Sequence, residues 1–394
     1  MVTVDSSRRR NLSAVLRLVH TRRGATRAEL TRLTGLNRST IGGLVTELAG
    51  LGLVLEADPA IDGVGRPSPR IEPNPDVVAV TVNPDIDAIT VGLVGLDGRV
   101  RGRLRRATRR VPSLDRAVAL ATDAIDDLVA KAGRPLRVLG LGIAVPGLVR
   151  ETDGSVVLAP HLGWRDAPVA AAFTAGTGLP ARVANDARLA ALAECGYGAG
   201  VGHRSVIYLN GSASGIGGGV VIEGRPLRGR SGFAGELGHT VVNPAGRDCH
   251  CGRRGCLETE VTRDRLLTAL GLADADPETL DRRLLDPGSP ARAEVARQLD
   301  WLAQATIDFS NTFDPELIIL GGFLGSLQAA DPERLAKAVR GQGFPALGTP
   351  PEVSRAALGP DLPVIGPAEL IFAELITDPA IQRMLPVSTA SAAR

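Results

Sequence analysis

Between Glu236 and Glu258 the chain reads Glu-Leu-Gly-His, nine residues, Cys-His-Cys, four residues, Cys-Leu-Glu. His239, Cys249, Cys251 and Cys256 therefore offer one imidazole and three thiolates, a full ligand set for one tetrahedral ion. Soft thiolates with an imidazole favour Zn²⁺ over Ca²⁺ or Mg²⁺. Four protein ligands leave no open position, so the expected role of the ion is structural. Three ordinary reduced thiols are the competing reading. Against it, only Cys195 lies outside the cluster, and Gly252 and Gly255 supply a turn between the ligands. Glu236 and Glu258 bracket the segment as two carboxylates that a hydroxyl-rich ligand could use.

Elements able to carry such a loop follow from the apolar pattern. Val77–Val82, Ala88–Leu96 and Val138–Val145 read as β-rich runs, with a helical stretch from Leu114 to Ala132. The theme returns in Val206–Leu209, Gly217–Ile222, a helix over 299–312 and a strand Leu317–Leu320 ending in Gly321-Gly322. Strand clusters followed by helices, twice over, predict two α/β lobes with a cleft between them. The arginine-rich segment Arg99–Arg110 reads as a solvated strand, with a second nucleic-acid patch as the alternative.

At 394 residues, with 44% apolar and 22% charged residues, the chain is globular and long enough for two or three domains. It contains no uninterrupted apolar run of membrane-spanning length. Its first residues lack the apolar core of a signal peptide. The expectation is a cytoplasmic protein with no membrane partner, whose cysteines stay reduced and free for metal. The net charge of +2 hides an asymmetry: residues 1–55 hold nine arginines against three acids, and the remainder is mildly acidic. A basic module on an acidic body points to a polyanionic partner.

That module reads as three helices and a hairpin. Leu12, Val15, Leu16 and Val19 share a helix face over 11–23, which Gly24 ends. Thr26-Arg-Ala-Glu29 is a capping box opening a second helix. Asn37 caps a third, through Ile41, Leu44, Val45 and Leu48. Leu53–Leu55 and Arg70–Glu72 would pair as strands around a Gly/Pro-rich tip. Helices and hairpin in this order make a winged helix-turn-helix, with double-stranded operator DNA as partner and the third helix in the major groove. Arg38, Ser39 and Thr40 stand at its leading end, and Arg66 on the wing is placed for the minor groove or the backbone. A three-helix protein-interaction domain is the alternative. Gly42-Gly43 inside the third helix costs roughly 1 kcal/mol per glycine against alanine, and narrows the side-chain readout.

Taken together, these residues resemble the ROK family of bacterial sugar kinases and sugar-responsive repressors. The resemblance rests on Gly142-Ile-Ala-Val-Pro146-Gly147, Ala159-Pro-His-Leu-Gly-Trp164, Asn185-Asp186-Ala187, Gly215-Ile-Gly-Gly-Gly219, Gly235-Glu-Leu-Gly-His239 and the Cys-x-Cys-Gly-x-x-Gly-Cys-x-Glu element. It implies an α/β fold in which a winged helix-turn-helix precedes an actin-like, two-lobed domain of the sugar-kinase type. The expected division is 1–75 for the DNA-binding domain, 76–185 and 186–385 for the lobes, the second carrying the zinc loop, and 386–394 for a flexible tail. The resemblance also implies that Asn185, Asp186, Glu236, His239 and Glu258 bind sugar hydroxyls, and that a homodimer or higher homo-oligomer engages the operator. His161 stands where the kinases commonly have asparagine.

In the kinases the residue matching Asp186 is the general base, and a strand–turn–strand of the form Asp-x-Gly-x-Thr meets phosphate. Here Asn83-Pro84-Asp85-Ile86-Asp87 occupies those five positions, and the usual Gly-Thr-Gly reads Ala213-Ser214-Gly215. Two new carboxylates would repel a polyphosphate. The expectation is a sugar-responsive repressor that is not an enzyme, with Asp186 vestigial. The alternative is an ATP-dependent sugar kinase with an appended DNA-binding domain.

Overall fold

In the computed structural model the described residues are 4–57, 69–342 and 349–380. The chain divides into two compact units. One runs to Ala184 and resumes at Pro363; the other is Asn185–Leu362.

The first unit opens with α1 (Val4–Thr21), β1 (Ala25–Thr26), α2 (Arg27–Thr34), α3 (Arg38–Gly50), β2 (Val54–Ala57) and β3 (Arg70–Pro73). The caps expected from sequence form. Thr26 Oγ1 accepts from Glu29 N at 3.2 Å while Glu29 accepts from Thr26 N at 2.7 Å. Asn37 Oδ1 accepts from Thr40 N at 2.8 Å. The strands pair antiparallel in the order β1-β3-β2, β1 being an addition to the expected hairpin. The hairpin tip, with Arg66, lies outside the described residues, as does the 386–394 tail.

Next come β4 (Val77–Pro84), β5 (Ala88–Gly95), β6 (Val100–Ala107), α4 (Leu114–Ala132), β7 (Arg137–Val145), β8 (Leu148–Arg150), β9 (Ser155–Ala159), β10 (Trp164–Ala167), α5 (Val169–Thr177) and β11 (Ala181–Asn185). The main sheet has the order β11-β7-β4-β5-β6, with β4 antiparallel to β5 and parallel to β7. Ala117, Ala121 and Ala124 of α4 and Phe173 of α5 are buried in one cluster with Val78, Val80 and Ile143.

A second cluster joins the N-terminal module to this sheet. Leu12, Leu16, Ile41, Val45 and Leu48 are buried together with Val77, Ala79, Val94 and Leu96, and with Val364, Ala368 and Phe372 of the C-terminal helix Leu362–Thr377. The bounds 186–385 expected for the second lobe take in this segment, whereas from Pro363 onward it lies in the first compact unit. Two glycines admit it. A Cβ at Gly92 would stand 2.8 Å from Val364 Cγ1, and one at Gly142 only 2.0 Å from the Pro367 carbonyl oxygen. His20, at the end of α1, ties the same elements together. Its Nδ1 lies 2.5 Å from the Leu96 carbonyl and its Nε2 3.0 Å from Glu369 Oε2.

The second unit contains α6 (Asp186–Tyr197), β12 (Val206–Ser212), β13 (Gly215–Ile222), β14 (Arg225–Pro226), α7 (Leu257–Glu260), α8 (Arg263–Leu270), α9 (Pro277–Leu285), α10 (Arg292–Phe313), β15 (Leu317–Gly322), α11 (Phe323–Ala330), α12 (Pro332–Gln342) and β16 (Glu352–Arg355). Its sheet, β14-β13-β12-β15-β16, repeats the plan of the first: β12 is antiparallel to β13 and parallel to β15. Among the described residues no helix is long and apolar enough to cross a membrane.

Candidate metal and ligand site

Asn185, Asp186, Glu236, His239 and Glu258 all fall in the second unit. Asn185 caps α6, its Oδ1 accepting from Arg188 N at 3.0 Å. Asp186 follows in the first turn, with Oδ1 accepting from Ala187 N at 2.8 Å. The helix packs closely on β13, because a Cβ at Gly217 or Gly219 would meet Ala187 or Ala191 at 2.8 or 2.7 Å.

Glu236 and His239 lie on a short turn pressed against the same strand. A Cβ at Gly238 would stand 1.9 Å from the Ile216 carbonyl oxygen. The chain then makes a hairpin in which Cys249 N donates to Arg253 O at 2.8 Å and Gly255 N to Arg247 O at 2.7 Å. Gly255 has φ +70°, and a Cβ there would overlap the Asn243 carbonyl, so glycine is required. Cys256 leads directly into α7, which carries Glu258.

The four expected ligands converge: their donor atoms all lie within 4.8 Å of one another. Cys249 Sγ is 3.5 Å from His239 Nδ1, and Cys251 Sγ is 3.7 Å from Cys256 Sγ. A tetrahedral zinc with Zn–S near 2.3 Å and Zn–N near 2.0 Å has S···N and S···S edges of about 3.5 and about 3.8 Å. The set therefore fits a metal ion. Burial pushes the Cys249 and Cys256 thiols up, which disfavours bare thiolates there and favours a cation among them.

The carboxylates border this set. Glu258 Oε1 is 3.0 Å from Cys249 Sγ and 3.3 Å from His239 Nδ1, with its side chain 8% exposed. On the other edge of the ring, His239 Nε2 is 3.9 Å from Glu236 Oε2. Burial raises the Glu236 carboxyl, and the charges of Asp186 and Glu258 raise it further. Burial also lowers His239 despite the nearby Glu258 carboxylate, keeping the imidazole in its neutral, metal-binding form. Three carboxylates thus share one acidic neighbourhood, suited to hydroxyl donors and hostile to anions.

Two residues of this site carried no assignment from sequence. His250 Nδ1 lies 3.3 Å from Glu258 Oε1, and its ring meets His239 edge-on at 5.1 Å. The signal was its place inside Cys-x-Cys. Arg188 is buried, donates to the Gly232 carbonyl and offsets part of the charge on Glu236. A lone arginine in the alanine-rich start of α6 was its only mark.

Other expected positions lie elsewhere. His161 is exposed in the first unit, on a groove of about 590 Å³ with Trp164 and Pro112. Asn83 and Pro84 end β4, Asp85–Asp87 make the turn to β5, and Asp87 pairs with Arg105 at 2.7 Å. That arginine, from the Arg99–Arg110 stripe, partly neutralises one of the two substituted carboxylates. Gly215, read as part of a phosphate element, has φ +126°, and a Cβ there would meet Glu258 at 2.6 Å. Gly321 likewise accommodates Tyr208. Arg38 and Ser39 are exposed at the start of α3, and Ser39 Oγ donates to Asn37 Oδ1 at 2.8 Å.

The ROK family matches residues 85–374. Among similar proteins, the xylose repressor of Caldicellulosiruptor bescii is 26% identical over 390 residues, covering 94% of this chain and 97% of its own. The glucokinase of Streptomyces coelicolor is 31% identical over 269 residues, covering 63% and 83%. A crystal structure described as a ROK family transcriptional regulator, homolog of E. coli MLC protein, superposes with a TM-score of 0.78. It is 24% identical and covers 96% of this chain and 98% of its own, a likeness of fold.

Proposed function

Because the chain belongs to the ROK family, we propose that it is a DNA-binding transcriptional repressor released by a sugar. The observation that carries this reading is the N-terminal module. The match to the xylose repressor leaves out too little of the chain to omit it, whereas the glucokinase match covers under two thirds.

The module is read as a winged helix-turn-helix. Arg38, Ser39 and Thr40 lead α3 into the major groove, and Arg66 serves the wing. A homodimer would present two such heads to a palindromic operator in the cytoplasm. In the second unit, His239, Cys249, Cys251 and Cys256 would hold a structural Zn²⁺, which braces the turn carrying Glu236 against the hairpin preceding Glu258. Asn185, Asp186, Glu236 and Glu258 then bind vicinal hydroxyls, with His239 Nε2 as a further donor; partners left unpaired by a wrong epimer would reject it. Regulation requires that sugar bind the DNA-competent and DNA-incompetent states with different affinity.

The same geometry argues against phosphoryl transfer. Asp85 and Asp87 stand where the kinases' phosphate turn has glycine and threonine, and Gly215 makes room for the Glu258 side chain. Asp186 is accordingly read as a hydroxyl acceptor. A thermal-shift screen of the purified chain against monosaccharides, amino sugars and ATP tests this. One sugar raising the melting temperature, with no response to ATP, is expected. Stabilisation by ATP, with sugar-dependent ADP release, would overturn the reading in favour of a kinase.

A further inference from the structure

On the second unit, beside the metal-ligand loop, a groove of about 600 Å³ is walled by Arg247, Thr262, Asp264, Arg265, Thr268 and Glu294. Three arginines gather here, and they differ in one respect. Arg297 is satisfied: it donates to both oxygens of Glu294 at 2.8 and 2.6 Å and to the Glu260 carbonyl at 2.8 Å. Arg247 and Arg265 donate through their backbone amides, to Glu260 and Thr262. Among the described residues neither guanidinium has a protein acceptor, and Arg265 Nε is buried without one. Glu294 is occupied by Arg297 and Gln298, so Asp264, exposed at the rim, is the one carboxylate of the wall left for them.

We propose that this groove is a second ligand site, taking the phosphate group of a small phosphorylated metabolite between Arg247 and Arg265. Guanidinium groups with no protein acceptor keep N–H donors for a ligand in the groove, and an anionic oxygen would pair with them. Planar guanidinium forks match phosphate oxygens in pairs. Partial burial and the like charges of Arg297 and Arg247 hold Arg265 below the ordinary arginine range, against the opposing charges of Glu294 and Glu260. The groove exceeds the volume of a bare phosphate and leaves room for a sugar-sized body. The acidic cluster of Asp186, Glu236 and Glu258 would repel such a ligand, so neutral and phosphorylated molecules are sorted to different places. The groove also touches the metal loop: Arg247 stands two residues before Cys249, and its amide donates to Glu260 Oε1 at 3.1 Å. This inference does not depend on DNA binding.

The test is calorimetric titration of the full metal-loaded chain with inorganic phosphate, glucose 6-phosphate and unphosphorylated glucose. Arg265→Gln and Arg247→Gln are each expected to weaken binding of the phosphate-bearing probes about tenfold, and together to abolish it. Metal content and any glucose binding should not change. Tighter binding of the sugar phosphate than of free phosphate would support a whole metabolite as occupant. Arg247 is exposed, so its variant keeps the test valid should Arg265→Gln fold poorly. No binding of either phosphate probe at millimolar concentration, or equal binding by the double variant, would overturn the proposal.

Discussion

Replacing Glu369 with glutamine should destabilise the first unit in a pH-dependent way. His20 is 2% exposed in its side chain and faces an acceptor with each ring nitrogen, Leu96 O and Glu369 Oε2. Only the imidazolium donates to both. Burial alone would pull the histidine down, as does Arg17. The charge and hydrogen bond of Glu369, with the Leu96 carbonyl, outweigh them and leave His20 above 6.5. A histidine raised in the folded state contributes stability that is fully present below the unfolded value. That stability is lost as pH rises through the folded one. Deleting one partner of a fully buried ion pair costs about 3–5 kcal/mol. Glu369 keeps 19% of its side chain exposed, so the range for a hydrogen bond to a charged group, about 1.5–3 kcal/mol, applies. The assay is urea unfolding of the full chain in a Trp301→Phe background, where Trp164 reports the first unit alone. Glu369→Gln should lose about 1.5–3 kcal/mol at pH 5.5 and less at pH 8.5. An equal loss at both pH values, or a larger one in base, would refute the argument.

Three further outcomes follow from the geometry. Cys249→Ser or Cys251→Ser should lose bound zinc, read by elemental analysis, together with the response to sugar; normal metal content and inducer response would contradict the ligand assignment. Gly43→Ala adds a Cβ that meets nothing within 4 Å in a helix interior, so stability should rise by about 1 kcal/mol in urea unfolding. Reduced operator affinity in the same variant would show that DNA uses the space. Asp186→Asn should weaken sugar binding at least about tenfold by calorimetry, and neither form should release ADP with sugar and ATP.

What was legible in the sequence was local. The four candidate ligands lie in one short stretch of chain, on a turn, a hairpin and the residue that enters α7. Residue types and spacing therefore singled them out without any knowledge of the fold, and their donor atoms do converge. The capping box at Thr26 and the cap at Asn37 act over three residues and form as read. Long-range packing was not legible. Gly92 passes unmarked inside an apolar strand run, and the motif that begins at Gly142 does not say why glycine is needed there; in each case the reason is the C-terminal helix that fills the space above. That helix is apolar enough to suit either lobe, and nothing in its spacing says which. His20 is one histidine on a helix face, and its partners lie 76 and 349 residues away. Gly215 has a phosphate-binding look in one dimension, but the atom it admits is a carboxylate oxygen of Glu258. Asp87 looked like bare repulsive charge because its partner Arg105 sits on a neighbouring strand.

The most direct measurement is the affinity of the purified chain for its own promoter region, by anisotropy, with and without the sugar that stabilises it. A fall in operator affinity of tenfold or more on adding the unmodified sugar, about 1.4 kcal/mol of coupling, is the predicted result. Unchanged affinity at saturating sugar, or no binding to the promoter in either condition, would contradict the account.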